Sequence, residues 1–584
     1  MMEPIAIALR AAGEVKALRV GSIDECLALY ADDMLLFLQD PKESLVAALC
    51  ILNTFSQFSG LKVNWTKSSI LPLDAGARDV ADPALPLQWV TQLTYLGVKI
   101  TARVEDYMPL NLAPLLLFFK QKIQAWQRLP LSLIGRINLL KMKILPVILY
   151  FLRNAPIWIP KSFFKKLDGL TSTFLWAPKQ PRIGLKTLQE PWGEGGLALP
   201  DWKKYYLAGQ MVFVHRWLTS DEGDSATVLE AAHLGSYETL RFAIHRGVKM
   251  DLPLTVSMRA SIKAWEAAVD LANPSYRGLS PSTPLWMNPK LSHFYSFDDP
   301  MGWATRGIKT LKDVTMDGEL LTFDQLKARH DLPNNQLFRY LQLRHALKSQ
   351  FKVLAIESVP SRLEEMLSTE DLPKTLSVSY KKLFATSPGA VVKCRDKWVS
   401  EVPDIQGEDW DEMWTHPFQH LVAARDRLIH FKFLHRIYYT PARLATIYPS
   451  VPAGCWRCTF APAAAEHVFW SCPRIKPFWS EVTSCISAVL LTPVPMTITV
   501  CLLGLVEGVV PSRAHRTLLN ILLFYGRKAI LLKWRKPEAP ELRFWKGLVN
   551  SMMPYYKATY LSRGCGKKFD KVWQAWYNSD LTVG

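Results

Sequence analysis

The sequence is poor in the features that mark secreted, fibrous or membrane proteins. Its 9 cysteines are an odd number in 584 residues, which does not suit a disulfide framework. Its 29 glycines and 39 prolines are too few, and its hydrophobic content of 49% too high, for collagen or wholesale disorder. The N-terminus shows no basic stretch followed by an apolar one, so we predict no secretory signal. We expect a globular, intracellular protein of several domains.

Long apolar runs are also scarce. The longest stretch without a charge covers residues 482–506, close to the length that spans a bilayer, but Pro493 and Pro495 interrupt it. We predict a buried core segment here and no membrane partner.

Negative charge is scarce relative to positive charge. The chain has 70 Lys and Arg against 52 Asp and Glu, a formal charge of +18. Residues 110–189 hold 13 basic residues and one acid, with apolar residues at helical spacing between them. This predicts helices with a basic face that includes Arg136, Lys141 and Lys143. A solvated charged face is the ordinary alternative, but a face of nearly one sign favours contact with nucleic-acid phosphates.

Two adjacent acids stand between two apolar runs near the N-terminus. Residues 26–37 predict two strands joined by a short turn, with Asp32 and Asp33 at its tip. A solvated hairpin turn is the ordinary explanation of such a pair. The alternative is a magnesium site, because Mg²⁺ prefers hard oxygen ligands and holds substrate phosphates through one or two carboxylates.

Four potential metal ligands lie close together near the C-terminus. Cys455, Cys458, His467 and Cys472 have the spacing C-x2-C-x8-H-x4-C, which offers the four nitrogen and sulfur ligands of a closed, structural zinc site. Buried thiols without a metal are the alternative. Residues 429–439, just before them, mix basic and aromatic side chains, so we predict that Lys432 and Arg436 contact nucleic acid.

Several motifs, taken in chain order, resemble those of reverse transcriptases from non-LTR (LINE-type) retrotransposons. Residues 30–33, Tyr-Ala-Asp-Asp, resemble the acidic box of the polymerase palm, and residues 2–10 the end of the helix before it. Residues 58–68 and 95–98 resemble the next motif and the primer grip. Further segments are similar to the thumb, to a glycine-rich element and to the family's CCHC element: 133–142, 195–201 and 455–473. We interpret the chain as the C-terminal portion of such a polyprotein.

The resemblance implies specific roles. Asp32 and Asp33 would bind catalytic Mg²⁺, and Lys67 would protonate the pyrophosphate leaving group. Leu96 and Gly97 would grip the primer. The partners would be an RNA template and a DNA primer or target, and the activity RNA-directed DNA synthesis.

The fold that we expect is α+β and mostly α. It would be a truncated right-hand polymerase with a palm hairpin remnant and a helical thumb, followed by a helical C-terminal region with a CCHC zinc element. We place the palm fragment at 1–105, the basic thumb at 106–210, a helical connector at 211–400 and the C-terminal region at 401–584. Because the fingers and the motif A carboxylate are missing, we expect a catalytically incomplete reverse transcriptase. The alternative is a non-enzymatic nucleic-acid-binding remnant that uses the thumb and zinc region.

Overall fold

The computed structural model consists mostly of helices, with a few sheets of two strands each. This confirms the mostly helical α+β composition, whereas the right-hand polymerase architecture stays a prediction. The structure describes the following residues: 2–74, 87–219, 225–246, 252–272, 281, 283–286, 302–317, 319–351, 362–369, 374–385, 392–402, 405 and 409–579.

The helices are numbered in chain order. The first twelve are α1 (Glu3–Ala11), α2 (Pro41–Ser59), α3 (Ala113–Trp126), α4 (Leu133–Leu139), α5 (Leu145–Arg153), α6 (Lys161–Trp176), α7 (Leu185–Gln189), α8 (Trp202–Thr219), α9 (Ser225–Leu234), α10 (Tyr237–Arg246), α11 (Val256–Ala272) and α12 (Leu311–Val314). The others are α13 (Phe323–His330), α14 (Leu337–Phe351), α15 (Arg362–Leu367), α16 (Thr375–Ala385), α17 (Val392–Glu401), α18 (Asp409–His420), α19 (Ala424–Leu434), α20 (Pro441–Ile447), α21 (Lys476–Leu490), α22 (Arg513–Leu532), α23 (Leu542–Ser562) and α24 (Gly566–Tyr577).

The strands form pairs rather than a large sheet. They are β1 (Leu18–Val20), β2 (Ile23–Glu25), β3 (Leu27–Tyr30), β4 (Asp33–Leu36), β5 (Ser69–Ile70), β6 (Gln88–Trp89), β7 (Gln92–Tyr95), β8 (Val98–Thr101), β9 (Thr315–Met316) and β10 (Glu319–Leu320). Sequential strands pair as antiparallel hairpins, except that β5 and β6 are parallel.

The chain forms two compact units, each built from three chain segments. Unit 1 contains Met1–Lys122, Leu145–Leu167 and Asp201–Ser387, and unit 2 contains Ile123–Ile144, Asp168–Pro200 and Pro388–Gly584. The predicted division into four domains, with boundaries near residues 105, 210 and 400, stays a prediction.

A small core holds the N-terminal hairpins of unit 1. Ile5 and Leu9, one helical turn apart on α1, pack with Leu27 of β3 and Ala48 of α2, and all four side chains are buried. Helix α2 ends at Gly60, whose backbone N–H donates to the Ser56 carbonyl (3.0 Å) at a φ of 72°. Helices α1 and α2 thus form the apolar surface against which the β3–β4 hairpin packs.

Helix α8 forms the centre of the helical part of unit 1. It is buried on nearly every side because α5, α11 and α16 pack around it. Tyr205 of α8 stacks on Tyr380 of α16 with ring centroids 3.7 Å apart. The Tyr380 hydroxyl accepts a hydrogen bond from the backbone N–H of Asp201 (3.1 Å), just before α8.

The core of unit 2 contains several large tryptophan side chains. Trp479, Trp545, Trp573 and Trp576, from α21, α23 and α24, are all fully buried. The uncharged stretch over 482–506 lies largely in this core, as predicted. In the part of the chain that the structure describes, no helix is long and apolar enough to cross a membrane.

The basic segment over 110–189 is helical, as predicted. Helix α4 begins after Ser132, whose Oγ accepts the Gly135 N–H (3.1 Å) as an N-cap. A π-helical stretch, Leu140–Ile144, connects α4 to α5. The buried apolar positions continue through this stretch, since Ile137 before it, Leu140 and Ile144 within it, and Ile148 after it are all buried.

Candidate functional site

The two adjacent acids lie at the tip of a hairpin. Strands β3 and β4 pair as far as Tyr30 and Asp33, so Ala31 and Asp32 form a two-residue turn. Ala31 has a φ of 55°, a left-handed conformation that costs a residue with a Cβ about 1–2 kcal/mol. The side chains of Asp32 and Asp33 are exposed. The predicted hairpin is confirmed, and metal binding by its acids stays a prediction.

A second tight hairpin carries the predicted primer-grip residues. Leu96 and Gly97 connect β7 and β8 with φ of 47° and 80°. A Cβ at Gly97 would meet no atom within 4 Å, so backbone conformation rather than space favours glycine there. The Tyr150 hydroxyl of α5 donates to the Leu96 carbonyl, and the Asn111 side chain bonds both backbone groups of Lys99 at 2.8 Å. Helical residues therefore fix the position of this turn.

The two hairpins are electrostatically connected. Burial and then the negative charge of Asp33 raise the pKa of Tyr95, which closes the second hairpin. Asp33 and Tyr95 are therefore close enough for the charge of the acid to act on the tyrosine. Lys67 is exposed in a separate turn, where its backbone N–H donates to the Asn64 carbonyl (3.0 Å).

Two carboxylates do not make a two-metal site. Among the described residues, no group of three or more Asp, Glu, His and Cys side chains with neighbouring ligand atoms includes Asp32 or Asp33. Within the described residues, these two acids therefore have no third metal ligand beside them.

The three predicted thumb contacts have different environments. Arg136 donates to the carbonyls of Phe174 (2.7 Å) and Leu175 (3.3 Å), so its guanidinium closes the end of α6. Lys141 is half-buried, 5.9 Å from the centre of the Trp192 ring, and burial lowers its pKa. Lys143 is exposed. Of the three, Lys143 is the side chain most open to a phosphate.

The two predicted contacts before the metal cluster also differ. Arg436 makes two 2.6 Å hydrogen bonds to the Glu401 carboxylate and lies 3.9 Å from the centre of the Trp398 ring. It is thus held inside unit 2 by an acid and an aromatic ring. Lys432 has no such acid: burial and then the positive charges of Arg182, Lys179 and Arg425 lower its pKa.

The four predicted metal ligands do come together. The ligand atoms of Cys455, Cys458, His467 and Cys472 all lie within 4.8 Å of one another. The Sγ atoms of Cys455 and Cys472 are 4.0 Å apart, and Cys458 Sγ is 3.1 Å from His467 Nε2. A tetrahedron with metal–sulfur bonds of about 2.3 Å requires a sulfur–sulfur distance of about 3.8 Å. The donor set therefore fits a metal ion.

Backbone and neighbouring side chains pre-form this cluster. The Cys455 N–H donates to the Phe460 carbonyl (2.8 Å), and the Thr459 N–H donates back to the Cys455 carbonyl (3.1 Å), which closes the Cys-x-x-Cys turn. The Phe460 ring stacks on His467 at 4.4 Å. Burial lowers the pKa of His467, which favours the neutral imidazole that a metal binds.

A buried arginine lies beside the thiols. Arg457 is only 7% exposed, and its guanidinium donates to the Lys533 carbonyl (2.9 Å) at the end of α22. Its Nε and second terminal nitrogen have no hydrogen-bond partner. Burial lowers its pKa, while charges on the three cysteines act in the opposite direction. The side chain can therefore offset negative charge at the cluster and also connects the cluster to the core helices.

Some residues with a part in these sites escape prediction from sequence. Asn111 and Tyr150 hold the second hairpin although nothing in their local sequence distinguishes them. Arg457 follows the Cys455 ligand by two positions and precedes Cys458 directly, and this position in the sequence is the signal that could have indicated its role beside the thiols. Lys179 and Arg182 belong to the basic window, but their proximity to Lys432 arises only from the tertiary fold.

One comparison with known proteins bears on the hairpins. Residues 2–100 match the family model of reverse transcriptase (RNA-dependent DNA polymerase). This reverse-transcriptase segment contains α1, the acidic hairpin, α2 and most of the Leu96–Gly97 hairpin. The match supports reverse-transcriptase-family function for the segment and, through that family, a nucleic-acid substrate.

Proposed function

We propose that the chain is the C-terminal part of a non-LTR retrotransposon reverse transcriptase that holds RNA template with DNA primer or target, inside the cell. The main support is the acidic hairpin: Asp32 lies exposed at its tip, in the segment that matches the reverse-transcriptase family. The turn of Leu96 and Gly97, held by Tyr150, supports a role in positioning the primer end.

We further propose that this chain does not catalyse polymerisation alone. Phosphoryl transfer between a primer hydroxyl and a triphosphate relies on Mg²⁺ clamped by several carboxylates, because little else neutralises the developing charge. Asp32 and Asp33 supply two carboxylates, and no further one among the described residues lies with them. Loss of one member of a ligand set that acts as a unit removes far more than a proportionate share of the rate.

We propose that Cys455, Cys458, His467 and Cys472 bind zinc and that its role is structural. Three thiolates and an imidazole are ligands that zinc prefers, and all four positions would be occupied by protein, which leaves none for a substrate. Cys455 and Cys472 belong to the same hydrophobic core as Phe469 and Trp479. Metal binding would thus stabilise the core of unit 2.

The test of the polymerase proposal combines binding and extension in one experiment. Wild type and Asp32→Asn are compared for binding of a labelled RNA template–DNA primer and for its extension with Mg²⁺. The matched control is Asp24→Asn, an exposed acid of the neighbouring hairpin. We expect all three proteins to bind with similar affinity and none to extend the primer.

Extension by wild type and Asp24→Asn, with none by Asp32→Asn, would overturn the proposal that the chain is inactive alone. Absence of binding by all three proteins would overturn the reverse-transcriptase proposal itself.

A second candidate function is a non-enzymatic nucleic-acid-binding module. The observation that favours it is the surplus of positive charge in the basic helices, since such charge is needed for binding and not for chemistry. In this case Asp32→Asn plus Asp33→Asn would leave binding unchanged, whereas Lys143→Gln would reduce the salt dependence of binding by roughly one phosphate contact.

The zinc proposal is tested by metal analysis of purified protein. We expect about one zinc per chain in wild type and in the control Cys565→Ser, whose thiol is exposed and remote in sequence from the cluster. Cys458→Ser should lose most of the metal and unfold at lower urea concentration. Wild-type protein that folds fully and contains no zinc would refute the proposal.

A further inference from the structure

Five cations of unit 2 lie near one another: Arg182 and Arg443 lie at the Tyr439 ring, and Arg182, Lys179 and Arg425 are close enough to Lys432 for their charges to act on it. We call them the Tyr439 cluster, and its members are Lys179, Arg182, Arg425, Lys432 and Arg443. The first two follow α6, the next two lie on α19, and the last lies on α20. Positions 425 and 432 are seven residues apart, which is two turns of helix and therefore the same helix face.

Tyr439 holds two of the guanidinium groups. The Arg182 guanidinium lies 4.8 Å from the centre of the Tyr439 ring, and the Arg443 guanidinium lies 5.6 Å from it. Arg443 is fixed a second time because it donates to the Arg436 carbonyl (2.7 Å). The Tyr439 backbone is fixed in turn by the indole N–H of Trp534, which donates to its carbonyl (3.2 Å). The ring therefore helps to orient two planar donors.

The charges of the cluster are not balanced by acids. Within the described part of the chain, no ion pair joins any of the five cations to a carboxylate. Neighbouring cations behave differently, since Arg436 pairs with Glu401 and Lys528 pairs with Asp426. The effect on Lys432 is direct: after burial, the causes that lower its pKa are three positive charges of the same cluster.

A set of close cations without acids is unfavourable unless an anion binds among them. Three of the five are arginines, whose forked donors match phosphate oxygens in pairs. Arg182, Arg425 and Lys179 are exposed, so an anion can approach from solvent.

We propose that the Tyr439 cluster is a binding site for the phosphodiester backbone of nucleic acid, contacting at least two phosphates without reading base sequence. The choice of nucleic acid as the polyanion rests on the proposed function. The site itself rests on the geometry of the cations.

The experiment measures fluorescence anisotropy of labelled single-stranded RNA and DNA of 20 nucleotides, with full-length protein, from 0.05 to 0.5 M salt. Arg182→Gln plus Lys432→Gln removes two cations of the cluster. Lys557→Gln plus Lys571→Gln is the matched control, because it removes the same charge from exposed positions of α23 and α24 in the same unit.

We expect the cluster variant to lose about 1.4 units from the slope of log K against log salt, which is roughly a 25-fold loss of affinity at 0.1 M salt. The control should change affinity by less than about threefold, because long-range attraction is screened at this salt. Tyr439→Leu keeps every charge and should still weaken binding, since both guanidinium groups lose their support. Thermal unfolding of each variant shows whether it still folds. The single variant Arg182→Gln, at an exposed position, should reduce the salt slope by about half as much as the double variant does.

The outcomes separate the two proposals. Wild type that binds neither RNA nor DNA overturns the proposed function and with it this assignment. Wild type that binds, with cluster and control variants equally affected, overturns the Tyr439 cluster alone. Equal loss on RNA and DNA supports recognition through phosphate, and loss on RNA alone would show that the site reads the 2′-hydroxyl instead. The phosphate assignment would also be overturned if polyglutamate displaced the labelled RNA as effectively as an unlabelled oligonucleotide does.

Discussion

Acidification from pH 7 to pH 5 should weaken unit 2 through two of its partly buried histidines, His420 and His435. Burial lowers the pKa of His420 to about 3 and that of His435 to about 4. In the unfolded chain the same groups titrate near 6.5. Below that pH the unfolded state binds more protons than the folded state, so the free energy of unfolding falls as the pH falls from about 6.5 toward each folded pKa. Between pH 7 and pH 5 each histidine should remove about 2 kcal/mol.

The assay is urea unfolding followed by tryptophan fluorescence at the two pH values. The test variant is His435→Gln, because glutamine keeps a donor for the Gly195 carbonyl that His435 Nε2 now approaches at 2.6 Å. The variant should lose about 2 kcal/mol less stability than wild type between pH 7 and pH 5. Protonation of the cysteine and histidine ligands affects both proteins and cancels in this difference. His515→Gln, a half-exposed histidine of α22, serves as control and should follow wild type. Equal losses for wild type and His435→Gln would refute the reasoning.

Three further outcomes are expected. Gly97→Ala should lower the free energy of unfolding of unit 1 by about 1–2 kcal/mol, measured by urea titration, because a Cβ disfavours the φ of 80°. Asp426→Ala should cost about 3–5 kcal/mol, since Lys528 would lose the carboxylate 2.7 Å away, and adding Lys528→Met should restore most of it; no recovery in the double variant would contradict this. Arg457→Gln should reduce zinc retention against a chelator about tenfold, because the thiolates lose a buried counter-charge, and unchanged retention would count against that role.

Local patterns were enough to predict the hairpin and the approach of the four potential metal ligands. The run of residues 26–37 specifies two strands and a turn through neighbours only, and the structure pairs Tyr30 with Asp33 as that pattern requires. The four ligands from Cys455 to Cys472 lie within 18 residues of chain, so few conformations can separate them. Their approach to within 4.8 Å follows the prediction.

The environments of single cations could not be predicted in the same way. The sequence predicts Arg136 and Arg436 as phosphate contacts because both lie in basic stretches. The structure gives Arg136 the carbonyl of Phe174 and gives Arg436 the carboxylate of Glu401. Each partner is 35 or more residues away along the chain. Helical periodicity predicts which face of a helix is apolar, but it does not predict which distant residues pack against that helix. The phosphate-contact predictions for these two side chains are left untested by the structure.

The interleaved segments of the two units have a consequence for synthesis on the ribosome. Unit 2 needs residues 123–144 and 168–200 together with its last segment, which starts at Pro388. At 5–20 residues per second, translation of the intervening residues 201–387 takes roughly 10 to 40 s. During that interval the apolar sides of α4 and α7 are exposed, because the last segment of unit 2 has not yet been synthesised. We therefore expect nascent chains to depend on chaperones, and fragments cut near residue 387 to precipitate rather than yield two separate soluble halves.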